Sequence, residues 1–137
     1  MSVGRNVQFN VLPMVATLGW MGFLIFLSSQ TLTTDLTAHL EIRMDIVAHI
    51  VLYSVLGFLI STSLLLNTKL LISTNRIAFI APLFCLFWGI IDESYQKIVP
   101  GRDSSWTDVG FDLIGGIIGT ALLAGFATMW VHLKSHD

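Results

Sequence analysis

Asp45, His49, Tyr53 and Gly57 recur at a four-residue step, so a helix through them carries a carboxylate, an imidazole and a phenol on one stripe. A second cluster follows in "DESYQKIVPGRDSSWTD", residues 92–108, where Asp92 lies four and Glu93 three positions before Gln96. At least two of these share a helix face. Asp108, Asp112 and Gly116 repeat the four-residue step. Three kinds of chemistry are open to such groups. His49 or Glu93 can act as general base, and Arg102, in a tight Pro-Gly-Arg turn, can stabilise negative charge. The His with the Glu and Asp carboxylates can ligate a divalent metal, although no H-E-x-x-H signature is present. Alternatively, His49 with Asp45 or Glu93, and Glu93 with Arg102, are structural pairs between helices. A serine or cysteine nucleophile is not indicated, since Cys85 lies within an apolar run and Ser94 has no special context.

The elements that must hold these groups are membrane spans. Of 137 residues, 54% are hydrophobic and 12% charged, and the mean hydropathy is +0.77. This is too apolar for an ordinary water-soluble domain. A net charge of -2 offers no basic surface for nucleic acid, and a single cysteine excludes a disulfide framework. Four apolar segments predict an all-α polytopic membrane protein with four transmembrane helices in one bundle, at about residues 7–28, 46–66, 77–98 and 108–131. They leave room for a single domain over 1–137. The first segment also invites a signal-peptide reading, but it is longer than a signal core and no small-x-small cleavage site follows it. Pro13 is expected to kink it near one end. The third has only 15 uncharged residues from Ile77 to Ile91, so a full crossing carries Asp92, Glu93 and Gln96 to membrane depth.

Ionisable residues at that depth are costly unless they face one another, a cavity or water. The economical arrangement turns all three polar stripes into one pocket, with Asp45, His49, Tyr53, Glu93, Gln96, Arg102, Asp108 and Asp112 as candidate ligand-binding residues. Some of these features have plainer readings. Ser105, three before Asp108, has capping-box spacing, and the small residues Gly115, Gly119, Gly116 and Thr120 read as close helix packing. Trp20, Trp88, Trp106 and Trp130 read as core or interfacial anchors, and His39, His132 and His136 as solvated.

Charge gives an orientation. Arg5, Lys69, Arg76 and Lys134 fall on one side of four spans and Arg43, Lys97 and Arg102 on the other, a small bias that favours cytoplasmic termini. Every acidic residue but Asp137 falls on the second side, which is then external.

The residues also carry a family resemblance. "SSQ" after the first span, D-x-x-x-H-x-x-x-Y-x-x-x-G opening the second, D-E-x-x-Q ending the third, P-G-R in the loop and D-x-x-x-[ND]-x-x-G on the fourth resemble the VanZ-like family over about residues 20–125. The family pattern often has Lys where this chain has Ile46, and Asn where it has Asp112. The resemblance implies a bacterial protein of the cytoplasmic membrane and a link to teicoplanin, a lipid-tailed glycopeptide acting outside that membrane. The expected partner is a membrane lipid or another amphiphilic ligand. Three functions fit the pocket: binding such an amphiphile, catalysis on an envelope lipid, or transport, for which four spans without an internal repeat would need a homo-oligomer.

Overall fold

In a computed structural model, residues 10–30, 38–67, 73–102 and 104–135 are described, without the side chains of 38–43. Arg5, Asp35, Lys69, Asp103, His136 and Asp137, and the side chains of His39, Glu41 and Arg43, lie outside the described residues. Four helices follow one another: α1 (Val11–Ser28), α2 (Ala38–Leu66), α3 (Thr74–Gln96) and α4 (Trp106–Lys134). Each contains a stretch long and apolar enough to cross a membrane, and the described residues contain no strand. The protein is therefore an all-α, multi-pass membrane bundle.

The helix ends differ from those expected in ways that have physical reasons. α2 begins at Ala38, eight residues before Ile46, because Leu40, Glu41, Arg43 and Met44 are good helix formers and charge ends an apolar run without ending a helix. Its apolar span is Met44–Leu66. α3 stops at Gln96, and the chain then folds into turns through Ile98 instead of continuing the helix. Pro13 occupies the first turn of α1, where its missing N–H has no intrahelical partner to lose, so the helix runs through it uninterrupted.

Packing follows the small residues. α4 lies chiefly against α2 and then α3, while α1 rests on α2 and, more lightly, α3. Gly115 and Gly119 meet the Ile50 and Ser54 carbonyls of α2, and Gly57 meets the backbone of Gly116, so no Cβ fits at any of these crossings. Backbones this close gain dispersion contacts that lipid tails cannot supply. Ser61 donates to Thr120 Oγ1 at 3.0 Å along the same seam. α1 is attached by Trp20 Nε1 donating to the Leu52 carbonyl at 3.0 Å and by Thr17 and Ser63 hydroxyls 3.0 Å apart. The buried apolar core joins Met21 and Leu24 of α1 to Tyr53, Leu56 and Ile60 of α2 and Ala81 and Cys85 of α3.

The outer surface is apolar in the manner of a lipid-facing one, with Leu12, Phe79, Phe87 and Phe126 among the large exposed side chains. Trp106 and Trp130 stand exposed about 36 Å apart along α4. Lys97 Nζ lies 5.3 Å from the Trp106 ring and Lys134 Nζ 5.2 Å from the Trp130 ring. These pairs fit the two interfaces of a bilayer. Trp20 and Trp88 instead pack on the core.

Candidate functional site at one end of the bundle

The up-and-down course of the helices brings the end of α1, the start of α2, the end of α3 and the start of α4 to the same end of the bundle. The polar residues are there because three helices bury their matching stripes. On α3 the buried residues step from Ala81 through Cys85 and Gly89 to Asp92, Glu93 and Gln96; on α4 they run from Asp108 through Asp112 to Gly116. Asp112 is fully buried, and it fits because Gly89 has no side chain: a Cβ there would strike the Asp112 carboxylate.

His49 is the hub. Its Nδ1 is hydrogen-bonded to Asp112 Oδ1 at 2.8 Å, and its Nε2 lies 3.9 Å from both Asp45 Oδ1 and Glu93 Oε1. The bond at Nδ1 fixes the ring and leaves Nε2 free for other work. One turn deeper, the Tyr53 ring stacks near it at 6.3 Å, and the Tyr53 hydroxyl donates to Asp92 Oδ2 at 3.4 Å. Gln96 donates from Nε2 to Ser28 Oγ at 3.3 Å, tying α3 to α1.

Ser105 is the N-cap of α4, accepting from the Thr107 N–H at 3.1 Å, with its hydroxyl also against that of Thr107. In a capping box the carboxylate three residues on would accept the N–H of the cap residue. Here that N–H of Ser105 goes to Glu93 Oε2 at 2.9 Å instead. Asp108, at the N3 position, is thereby released from half of its expected structural role.

Arg102 does not pair with Glu93. Among the described residues no carboxylate comes within 4.0 Å of its guanidinium, and its buried Nε has no hydrogen-bond partner. The loop holds it by a type II turn in which Arg102 N–H donates to the Val99 carbonyl at 3.3 Å, with Pro100 fixing one corner and Gly101, at φ 80°, the other. From there it lines a cavity of about 440 Å³ with Asp45, His49, Tyr53, Asp92 and Gln96 and with the apolar side chains of Leu24, Leu27, Ala48 and Leu52.

The sequence-predicted residues thus divide into layers. Asp45, His49, Tyr53, Gln96 and Arg102 line the cavity. Glu93 faces His49 from α3 but borders a separate small cleft with Ser104, Ser105 and Trp106. Asp108 stands with Asp45 and His49, one potential ligand atom of each lying within 4.8 Å of the others. Asp112 does not line the cavity; it sits behind His49. Sequence reasoning missed the parts played by Ser28, Gly89 and the Ser105 N–H. Only Ser28 had left a signal, in the "SSQ" motif.

The arrangement offers an oriented imidazole, a fixed cation and an apolar trough. No curated protein and no solved structure matches the chain. The VanZ/LLP1 family model matches residues 9–128, from just before α1 into α4. All of the site residues fall inside that match, and the chain belongs to the VanZ/LLP1 family.

Proposed function

We propose that this protein binds an amphiphilic molecule of the cell envelope that carries an anionic headgroup, with the headgroup at Arg102 and the first methylenes of the tail between Leu24, Leu27 and Leu52. The observation that carries the reading is Arg102, whose buried Nε has no hydrogen-bond partner and which lines a cavity together with both polar and apolar side chains. A guanidinium held in a tight turn, with no carboxylate within 4.0 Å among the described residues, suits a phosphate or carboxylate from outside the chain. An envelope lipid, a lipid-linked precursor and a lipoglycopeptide such as teicoplanin share this amphiphilic character. Family membership supports a location in the bacterial cytoplasmic membrane, and the four-to-three bias of Lys and Arg supports cytoplasmic termini with the cavity external.

The test is lipid retention by protein purified in detergent and read by native mass spectrometry. Phosphatidylglycerol should be retained over phosphatidylcholine. Arg102→Ala should abolish the preference, and Arg102→Lys should restore part of it. Equal retention of the two lipids, or a preference unchanged in Arg102→Ala, would reject the reading.

A catalytic variant of this reading is favoured by one contact. His49 lines the cavity with its ring oriented by Asp112 at Nδ1, and its Nε2, 3.9 Å from Asp45 and Glu93, makes it the candidate base. Chemical change of the retained lipid on incubation with the parent, and not with His49→Gln, would distinguish an enzyme from a binding protein.

A further inference from the structure

We propose that Asp45, His49, Glu93 and Asp108 form a binding site for one first-row divalent metal ion, of the Zn²⁺ or Mn²⁺ kind. One ligand atom each of Asp45, His49 and Asp108 lies within 4.8 Å of the others. Ligand atoms about 2.1 Å from a shared ion stand about 3.4 Å apart in a tetrahedron and about 4.2 Å apart at most, so closure of these three about an ion shortens their separations by up to about 1.4 Å, with Glu93 approaching from the His49 Nε2 side.

Glu93 completes the cluster from α3. It is 4% exposed, and its Oε1 accepts no hydrogen bond. Its other oxygen is fixed by the Ser105 N–H at 2.9 Å, and that bond helps to aim Oε1 at His49 Nε2, 3.9 Å away. A separation of 3.9 Å is too long for a hydrogen bond and suits two atoms that share a cation. The same 3.9 Å separates Nε2 from Asp45 Oδ1.

Two further arrangements serve ligation. The Nδ1 of His49 is hydrogen-bonded to a buried carboxylate, which is how metal-binding imidazoles are usually oriented and made more basic at the other nitrogen. Asp108 is at liberty to ligate because Glu93 has taken the cap N–H that Asp108 would otherwise accept. Carboxylates alone would suit Mg²⁺ or Ca²⁺, while the imidazole shifts the preference to Zn²⁺ or Mn²⁺. The site goes beyond the lipid-binding reading, because it can be filled with no lipid present.

The experiment uses the full chain without an affinity tag, purified in detergent and stripped with a chelator. Zn²⁺ is titrated by calorimetry and Mn²⁺ by paramagnetic resonance, with thermal unfolding followed in parallel. One saturable equivalent per chain and a raised melting temperature are expected. Asp45→Asn should weaken binding by about tenfold or more while changing the metal-free melting temperature little, since Asp45 is half exposed and its one described ion pair is a long 3.9 Å one with His49. Asp108→Asn should weaken it similarly. Absence of a saturable equivalent in the parent overturns the proposal, as does parental affinity in Asp45→Asn, even if Asp108→Asn fails to fold. Because the titration contains no lipid, loss of lipid selectivity at Arg102 and loss of metal binding are separate results.

Discussion

His49 Nδ1 lies 2.8 Å from Asp112 Oδ1, and this contact between side chains 8% and 0% exposed ties α2 to α4 at the polar end of the bundle. The pair holds the His49 ring in place from behind while its other nitrogen faces Asp45 and Glu93. Either partner left alone is a polar group out of reach of water.

The first prediction concerns that pair. His49→Ala should destabilise the protein by about 3–5 kcal/mol, because Asp112 keeps its burial and loses its partner. Asp112→Asn should cost only about 1 kcal/mol, since the amide oxygen can still accept from Nδ1–H. Thermal unfolding in detergent measures both. A cost for Asp112→Asn equal to that for His49→Ala would show that charge, beyond hydrogen bonding, holds the seam.

Gly89 provides a second test, through its vacant side-chain position. A Cβ on Gly89 would overlap the Asp112 carboxylate, so Gly89→Ala should displace Asp112 from His49 and destabilise by about 1–3 kcal/mol. The same substitution made in an Asp112→Ala background meets no carboxylate. A double-mutant cycle should therefore give a coupling of about 1 kcal/mol or more, and additive costs would mean that the two positions do not share this space.

The helix seam makes a third. Gly119 has the Ser54 carbonyl where its Cβ would stand, whereas Gly125 has nothing within 4 Å. Gly119→Ala must push two backbones apart and should cost several kcal/mol by the overpacking it causes. Gly125→Ala, with the same chemistry on the same helix, should be neutral or stabilise by up to about 1 kcal/mol. Similar melting temperatures for the two variants would contradict the close α2–α4 crossing.

Much of the fold could be read from residue order alone, because hydrocarbon permits few backbone solutions and four apolar segments, three of them uncharged over near-bilayer length, leave little choice. The Asp45–His49–Tyr53 stripe was equally legible, since a four-residue step fixes a helix face. Rotation between helices was not. Nothing in the periodicity of α4 says that Asp112 would sit behind His49 while Asp108 stands beside it, for both lie on the same stripe. The loop was read least well: Glu93 and Arg102 have opposite charges and suitable separation for a pair, yet the backbone N–H of Ser105 competes for Glu93 at 2.9 Å. A backbone donor has no side-chain signature, so such competition is invisible until the chain is folded. The eight extra residues at the start of α2 were missed for a related reason, since hydropathy reports where lipid ends and not where helical hydrogen bonding does.

The final prediction is the orientation of the bundle, on which an external ligand depends. Ile98 and Ser73 lie at opposite ends of α3, and both are exposed, so a cysteine at either position can be reached by a membrane-impermeant maleimide from its own side. The native thiol adds no background because Cys85 is fully buried. In intact cells Ile98→Cys should label, and Ser73→Cys should label only after the membrane is opened. The reason is the positive charge of the short loops: Arg5, Lys69, Arg76 and Lys134 fall on the Ser73 side against Arg43, Lys97 and Arg102 on the Ile98 side, and the side richer in Lys and Arg stays in the cytoplasm. Labelling in the reverse pattern would place the Arg102 cavity on the cytoplasmic side. Binding of an amphiphile that arrives from outside the cell would then be ruled out, whereas metal binding and recognition of an inner-leaflet lipid at Arg102 would still be open to measurement.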